Sequence, residues 1–390
     1  MTRTCPAIPN QATLPLLDDR SAAWKIIHDA GDVAVSEDGT YFLIGADAVE
    51  SAAKNTEVFS SEGAFALLGS PFPLVPIAVD PPEHSRYRRV LNKFFSPRSM
   101  AEHEDELRRQ VDELIDGIMA SGPVCDVVSA LAVPFPSQVF LTLFGLPLKD
   151  RDRLIGWKNA IIELTDTHAV AESTPESLLV AGELLSYLAD LIKQRRVAAR
   201  GVDLLSQLLA DRDEGAITDD ELMGMCFIFI LAGLDTVTSA VGFALSALAQ
   251  DADLRNKVRS DAAVAAAFME EILRVESPVP SVPRVTTAAV DVDGVTIPAG
   301  ATCWLMMGAA NRDARRFEDP HLIGERRTGH FAFGRGPHRC LGSHLALLEL
   351  RLVIEQWLTR IPDFALESPP EVIWPSATHG LRRLEIRIDV

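Results

Sequence analysis

The feature that most constrains the fold is an apolar run from Leu222 to Ala249, twenty-eight residues in which Asp235 is the only charge. A run of this length can cross a bilayer, for which about 17–25 residues suffice. However, a charge near the bilayer centre costs at least about 2.5–3.5 kcal/mol and needs a partner. No second apolar run supplies one, and acidic residues flank both ends. We therefore predict the central helix of a protein core, with no membrane partner.

Composition narrows the class of protein further. The chain has 390 residues, 47% of them hydrophobic, and a net charge of −18, so nucleic acid is not an expected partner. The five cysteines are scattered without the spacing of a zinc site or a disulfide framework. The Pro-rich opening lacks the basic start and apolar core of a secretory leader. We expect a cytoplasmic monomer with an N-terminal arm over residues 1–20 and one domain over residues 21–390.

Hydrophobic periodicity predicts a mainly α fold with a minor β region. Short strands are predicted at residues 33–35 and 41–44, and a hairpin at 290–292 and 295–297 around Asp293-Gly294. The tail after residue 363 alternates apolar and polar residues as a small sheet would. Helices are predicted over residues 21–30, 46–54, 83–95, 101–120, 129–144, 150–165, 176–200, 203–210, 219–249, 262–275 and 341–360.

A glycine-rich loop leads into a cysteine and then a helix in the stretch GHFAFGRGPHRCLGSHLALLEL, residues 329–350. Phe333, Gly336, Cys340 and Gly342 meet the pattern Phe-x-x-Gly-x-x-x-Cys-x-Gly, which composition alone would produce in about one such chain in a thousand. Glycines let a backbone approach a flat ligand closely, and the start of a helix favours thiolate over thiol. Cys340 is therefore the candidate metal ligand.

This spacing resembles the haem-binding loop of the cytochrome P450 family, whose cysteine thiolate is an axial ligand of haem iron. The resemblance covers nearly the whole chain and implies a single cytochrome P450-like haem domain, residues 21–390, with a long central helix. It implies haem b as the cofactor and the Cys340 thiolate as its axial ligand. Phe333, Gly336 and Gly342 then belong to the cofactor-binding loop.

Two further groups of residues match the family. The stretch FMEEILRVESP carries Glu271 and Arg274 three residues apart on a helix, a spacing that alone is weak evidence because such ion pairs are common. The resemblance implies that a later arginine completes this structural network, and we place it at Arg327, with Arg326 as the alternative. It also implies that cationic or donor side chains hold the haem propionates, and the candidates are His84, Arg88, Arg284 and His338.

The same resemblance implies a catalytic role for the middle of the apolar run. Gly233, which costs about 1 kcal/mol relative to alanine within a helix, would bring the backbone close to the cofactor. The hydroxyl of Thr236 can turn toward a carbonyl of its own helix. In the family an acid and an alcohol at this place deliver protons to dioxygen, so Asp235 and Thr236 are the candidate catalytic residues.

The resemblance implies a monooxygenase that inserts one oxygen atom of dioxygen into an organic substrate by hydroxylation, with epoxidation and O-dealkylation as further outcomes. We expect electrons from NAD(P)H through a ferredoxin reductase and a ferredoxin, which would contact basic residues near the cysteine loop. The alternatives are a peroxide-driven peroxygenase and a non-catalytic haem-binding protein, and the retained pair Asp235-Thr236 favours the monooxygenase. The candidate donor contacts are Arg108, Arg109, Arg335, Arg339 and His344.

The substrate is expected to be an apolar small molecule such as a terpenoid. In the family, segments around the haem form the pocket, and the loop over residues 60–79 carries one acid, Glu62, and no Lys or Arg to bind a carboxylate. The pocket walls are predicted at residues 60–79, 165–173, 231–236, 279–282 and 378–379.

Overall fold

Helices form most of this protein, whose computed structural model describes residues 5–10, 13–16, 19–68, 70–165, 175–197, 201–324, 329–373 and 378–388. The helices are α1 Arg20–Asp29, α2 Ala46–Lys54, α3 Glu83–Asn92, α4 Pro97–Ala101, α5 Glu104–Ser121, α6 Pro134–Phe144, α7 Arg151–Thr165, α8 Pro175–Val197, α9 Leu204–Asp213, α10 Asp219–Gln250, α11 Ala252–Ser260, α12 Ala262–Glu276, α13 Met307–Ala310 and α14 Ser343–Arg360.

The strands are short, and most of them pair with strands distant in sequence. They are β1 Val33–Val35, β2 Tyr41–Leu43, β3 Phe59–Ser60, β4 Val124–Asp126, β5 Val282–Thr286, β6 Val290–Val292, β7 Val295–Ile297, β8 Thr302–Leu305, β9 Phe364–Leu366, β10 Glu371–Ile373, β11 Gly380–Arg383 and β12 Glu385–Ile388.

The apolar run forms α10, the central helix. Thr218 and Glu221 begin it with a reciprocal capping box, in which each side chain accepts a hydrogen bond from the other's backbone N–H. Among the described residues this is the one helix long and apolar enough to span a bilayer, yet 61% of its most apolar window is buried within the protein. It packs against α6, α12 and α14. The prediction of a buried core helix is therefore confirmed.

The sheets lie beside this helical body. The largest has the strand order β1-β2-β8-β5-β3, in which only β2 and β8 are parallel. The predicted hairpin is present as β6 and β7, because Asp293 and Gly294 adopt the positive φ angles that a two-residue hairpin turn requires. The tail forms β9 to β12, and β12 also pairs with β4.

Several local predictions differ from the structure. The helix predicted over residues 101–120 begins only at Glu104, as α5, because residue 101 ends the separate short helix α4. The short helix α11 was not predicted, since ADLRNKVRS offers few apolar residues for a periodic pattern. The helix after the cysteine begins at Ser343 rather than residue 341. The segment before α1 is tied to the sheet, where Ala7 pairs with Val35.

Candidate functional site

The loop before α14 is held in shape by its own backbone. The N–H of Cys340 donates to the carbonyl of Phe333 at 2.7 Å. Gly336 has a φ of +67°, and a Cβ there would lie 2.3 Å from the carbonyl oxygen of Ala53 in α2. Only glycine fits this close approach. Gly342 instead has an ordinary φ of −85°.

Cys340 is accessible although protein surrounds it. The residue is exposed, while the atoms packed around its thiol are numerous enough to perturb its titration. Burial raises the pKa of the thiol, while a hydrogen bond from the Gly342 N–H and the nearby guanidinium groups of Arg88 and Arg339 oppose that rise. A coordinated metal ion deprotonates a thiol outright.

Like Cys340, the middle of α10 has exposed residues within an otherwise buried segment. Ala232 and Gly233 are exposed although Leu231 and Leu234 beside them are buried. A Cβ at Gly233 would meet only a ring carbon of Phe140, at an ordinary 3.6 Å. The hydroxyl of Thr236 donates to the Ala232 carbonyl at 3.3 Å, as the sequence predicts. The helix therefore presents a small-residue surface at its midpoint.

Asp235 has a partner that the sequence did not reveal. Its carboxylate accepts a hydrogen bond from the ammonium group of Lys158 in α7. The two side chains are 17% and 7% exposed, so this is a largely buried ion pair. Asp235 is consequently not a lone charge in an apolar helix. Lys158 stands amid apolar residues of α7, and that isolated cation was the only sequence signal for the pair.

Two of the predicted propionate ligands lie against each other. The rings of His84 and His338 have centroids 4.4 Å apart. The Nε2 atom of His338 lies 3.1 Å from the hydroxyl of Ser61 and 3.7 Å from a carboxylate oxygen of Asp80. Burial, with nearby cations, lowers the pKa of His338 to about 3 and that of His84 to about 4. Both rings are thus neutral at physiological pH. Ser61 was predicted only as part of the pocket wall over residues 60–79, and Asp80 was not predicted.

The two predicted arginines surround this histidine pair. Arg284 is buried, and burial lowers its pKa to about 10 although Asp80 opposes the shift. Its Nε atom has no hydrogen-bond partner among the described residues. Arg88 is half-buried and donates to the carbonyl of Arg339 at 3.0 Å. The structure therefore brings His84, Arg88, Arg284 and His338 together beside the cysteine loop.

The predicted pair Glu271 and Arg274 forms a fully buried salt bridge. Both side chains are 0% exposed, and two hydrogen bonds of 2.9 Å join them. The remaining donors of Arg274 reach the carbonyls of Asn311, Pro320 and Leu322. These carbonyls satisfy the guanidinium group without another side chain. Arg326 and Arg327, proposed to complete the network, lie outside the described residues.

Four of the five predicted donor contacts are already engaged within the chain. Arg108 bonds to Glu104 and Glu355, and Arg109 pairs with two glutamates of its own helix. Arg335 donates to the Gly329 carbonyl, and Arg339 donates to the Ser343 hydroxyl at 3.2 Å. Arg339 and His344 are exposed. His344 borders a cleft of about 410 Å³ whose apolar lining comes from α4, α12 and α14, chiefly Met100, Met269, Leu347 and Leu348.

The structure places only some of the predicted pocket walls beside α10. Side chains of the loop over residues 60–79, including Phe65 and Ile77, pack against the apolar cluster that contains Leu231 and Leu234. The loop contacts α10 so closely that a Cβ at Gly224 would lie 1.9 Å from the Pro73 carbonyl oxygen. Residues 166–173 lie outside the described part of the chain. His379 is 1% exposed and bonds to Arg20 and the backbone of Glu276, so it is held in a polar cluster rather than lining a cavity.

Comparisons with known proteins agree with this arrangement. The family model described as "Cytochrome P450" matches residues 32–381. The chain is 32% identical to the probable cytochrome P450 127A1 of Sinorhizobium fredii, over 93% of this chain and 87% of that protein. It is 36% identical to the cytochrome P450 monooxygenase PikC of Streptomyces venezuelae, over 79% and 74%. The structure of CYP109E1 from Bacillus megaterium in complex with testosterone matches with a TM-score of 0.83 and 27% identity, over 94% of this chain and 97% of that one. This protein therefore belongs to the cytochrome P450 family and is an oxidoreductase whose cofactor is haem b with a cysteine thiolate as axial ligand.

Proposed function

We propose that the protein is a monooxygenase in which Cys340 is the haem ligand and an apolar small molecule is hydroxylated above α10. The observation that carries the proposal is the position of Cys340, enclosed by protein yet accessible at the end of a glycine-rich loop. Haem, when bound, supplies the chemistry that inserts one atom of dioxygen into a C–H bond. The alternatives remain a peroxygenase and a non-catalytic haem-binding protein.

The residues present fit haem. Its two propionates are anions, and the unpartnered Nε of buried Arg284 is a donor without an acceptor. A buried donor of this kind costs free energy unless a ligand satisfies it. Arg88, His84 and His338 add further donors on the same side. Gly233 and Ala232 leave the middle of α10 without bulky side chains, as a flat ligand in contact with that helix requires.

Asp235 and Thr236 are the proposed proton-transfer residues. Thr236 holds its hydroxyl at the accessible middle of α10, bonded to the Ala232 carbonyl. Asp235 is the adjacent acid, and its bond to Lys158 keeps the carboxylate on the α7 side of the helix. To relay a proton to Thr236, the Asp235 side chain has to change rotamer and leave Lys158. Lys158 thereby holds the acid in a resting position.

Electrons are proposed to come from a separate ferredoxin, reduced by a ferredoxin reductase with NAD(P)H. Because Arg108, Arg109 and Arg335 are engaged by carboxylates or carbonyls of the chain, the remaining contacts are His344 with the cleft beside it and Arg339, whose bond is to the Ser343 hydroxyl. We therefore expect docking to depend less on ionic strength than a purely basic surface would. The protein is proposed to be a cytoplasmic monomer.

The proposed substrate is uncharged and largely apolar. Phe65, Leu68 and Ile77 of the loop over residues 60–79 pack against the apolar cluster that contains Leu231. The buried cation Lys158 is paired with Asp235. No basic side chain of the loop is present to bind a carboxylate. Steroid or terpenoid ligands should shift the spin state of the haem iron, whereas tight binding of carboxylates alone would contradict the proposal.

Purified holoprotein tests the function. The reduced carbon-monoxide complex is expected to show the strongly red-shifted absorption of a thiolate ligand. Turnover is expected with a ferredoxin system and NAD(P)H and not with peroxide alone. Turnover with peroxide only would indicate the peroxygenase, and no turnover with either would indicate a non-catalytic haem protein. A carbon-monoxide complex without the red shift would rule out the haem-thiolate assignment.

Replacing Arg284 with methionine is expected to speed haem dissociation about tenfold to a hundredfold, because a hydrogen bond to a charged group is worth about 1.5–3 kcal/mol. The haem-free protein should lose no stability, since burial already disfavours this cation. Transfer of haem to an excess of an acceptor globin measures the rate.

Arg255→Met is the matched control for Arg284→Met. Arg255 is also buried, but it bonds to the Leu248 carbonyl and lies over the Phe364 ring, away from the histidine pair. Its loss should lower the free energy of unfolding without changing the rate of haem transfer. Equal rates for Arg284→Met and the wild type would show that Arg284 does not hold haem.

A further inference from the structure

His330 has a fixed tautomer at the start of the cysteine loop. Its Nδ1 atom accepts a hydrogen bond from the backbone N–H of Ala332 at 3.1 Å. A backbone N–H can only donate, so Nδ1 carries no proton and the ring proton is on Nε2. That proton is donated to a carboxylate oxygen of Glu270, 2.6 Å away. The His330 side chain is 7% exposed and that of Glu270 is 24% exposed, so the imidazole is buried and its carboxylate partner is partly accessible.

Glu270 attaches this histidine to a rigid element. It lies on α12, directly before Glu271, which forms the fully buried salt bridge with Arg274. Two neighbouring carboxylates therefore face different segments of the chain. Glu271 secures the stretch around Asn311 through Arg274, and Glu270 secures the cysteine loop through His330. The first link was predicted from the sequence, and the second was not.

A short path leads from His330 to the backbone of Cys340. The imidazole ring lies against the ring of Phe333, with centroids 5.7 Å apart. The carbonyl of Phe333 accepts the hydrogen bond from the Cys340 N–H. Ala332, which donates to His330, immediately precedes Phe333 in the chain. The position of Phe333, and with it the backbone of Cys340, thus depends on the bonds that His330 makes.

We propose that His330 is a positioning residue for the Cys340 thiolate, and that Glu270 acts through it. The inference rests on the proposed role of Cys340 as haem ligand. The two hydrogen bonds act in series: one joins α12 to the ring, and the other joins the ring to the loop. Loss of either bond frees Phe333 and lets the cysteine leave the geometry in which it is a thiolate ligand. In other metal sites, hydrogen bonds from groups that do not touch the metal orient its ligands in this way.

Three single variants test the bond of His330 to Glu270 and its bond to Ala332 separately. His330→Asn keeps an acceptor for the Ala332 N–H but loses the donor to Glu270, whereas His330→Gln can reach Glu270 but loses the acceptor at the δ position. Glu270→Gln keeps the size of the side chain and removes its charge, so its amide oxygen accepts a weaker hydrogen bond from His330. Glu355→Gln is the matched control, because it removes a carboxylate from the neighbouring helix α14 whose partners are Arg108 and Arg351.

The measurement is the ratio of thiol-ligated to thiolate-ligated haem in the reduced carbon-monoxide complex, read from the two absorption bands of the holoprotein. We expect His330→Asn and His330→Gln to raise this ratio about tenfold, equivalent to about 1.4 kcal/mol, Glu270→Gln to raise it less, and Glu355→Gln to leave it unchanged. The double variant Glu270→Gln, His330→Asn should equal His330→Asn alone, because the bond that Glu270→Gln weakens is already lost in His330→Asn.

The outcomes distinguish this inference from the function on which it rests. A wild-type protein without the thiolate band contradicts the ligand assignment of Cys340. A wild-type protein with that band, and His330 or Glu270 variants that keep its ratio, overturns the role of His330 alone. An additive effect in the double variant would likewise overturn it, since two independent contributions are not a linkage in series. An equal rise of the ratio in Glu355→Gln would show that loss of a carboxylate charge on this face, and not loss of the His330 bonds, causes the effect.

Discussion

Replacing Cys340 with serine is expected to abolish both the thiolate-type absorption of the reduced carbon-monoxide complex and turnover with a ferredoxin system. A serine hydroxyl does not give the iron the electron density that a thiolate supplies to favour O–O cleavage. The Gly342 N–H and the guanidinium groups of Arg88 and Arg339 surround the sulfur, and none of them can replace it. The haem content of the purified variant is measured first, so that loss of cofactor is separated from loss of the ligand.

Cys226→Ala is the matched control for Cys340→Ser. Cys226 is buried in α10, where burial raises the pKa of its thiol to about 12, so it stays a neutral, small apolar side chain. The variant should keep the red-shifted absorption and lose at most a little stability. If Cys340→Ser kept the absorption, or Cys226→Ala lost it, the assignment of the ligand would be wrong.

Replacing Asp235 with asparagine is expected to slow turnover about a hundredfold or more while haem stays bound, since positioned proton transfer contributes about 10²–10⁴-fold to a rate. The same change leaves the ammonium group of Lys158 without its partner in a largely buried position. Removing one member of a buried ion pair costs about 3–5 kcal/mol. The variant should therefore be both slow and less stable.

The double variant Asp235→Asn, Lys158→Met separates these two effects. Replacing a buried pair by apolar or neutral groups is often close to neutral for folding, so the double variant should regain stability measured by denaturant unfolding. Turnover should stay slow, because the acid is still missing. Recovery of turnover together with stability would show that the unpaired Lys158, and not lost proton transfer, caused the defect. Lys158→Met alone should lower stability and keep Asp235 free to relay protons.

Much of the fold could be predicted because its signals are local. The start of α10 follows from the capping box of Thr218 and Glu221, and the hairpin follows from Asp293-Gly294. The helix α2 and three of the four short strands have the predicted bounds. The errors were also local. The charged helix α11 has no clear apolar stripe, and the turn between α4 and α5 contains neither Gly nor Pro.

The candidate site also has residues that the sequence predicted and partners that it did not. The residues of the cysteine loop, the four propionate candidates and the pair Glu271 and Arg274 were all selected from motifs. The structure places the propionate candidates beside the cysteine loop and joins Glu271 to Arg274, while Arg327 lies outside the described residues. Their partners were not selected. Ser61 beside His338 and the glutamates that engage Arg108 and Arg109 became evident only from the contacts.

By itself, the sequence determined that a buried helix with an acid and an alcohol at its middle accompanies a cysteine loop that fits haem. Only the tertiary structure decided what those residues touch. Lys158 reaches Asp235 across 77 residues, and His330 reaches Glu270 across 60. Helix caps, turns and hydrophobic periodicity depend on residues that are close in sequence, whereas these pairs depend on how α7, α10 and α12 pack. A single chain carries no local pattern that marks such distant partners.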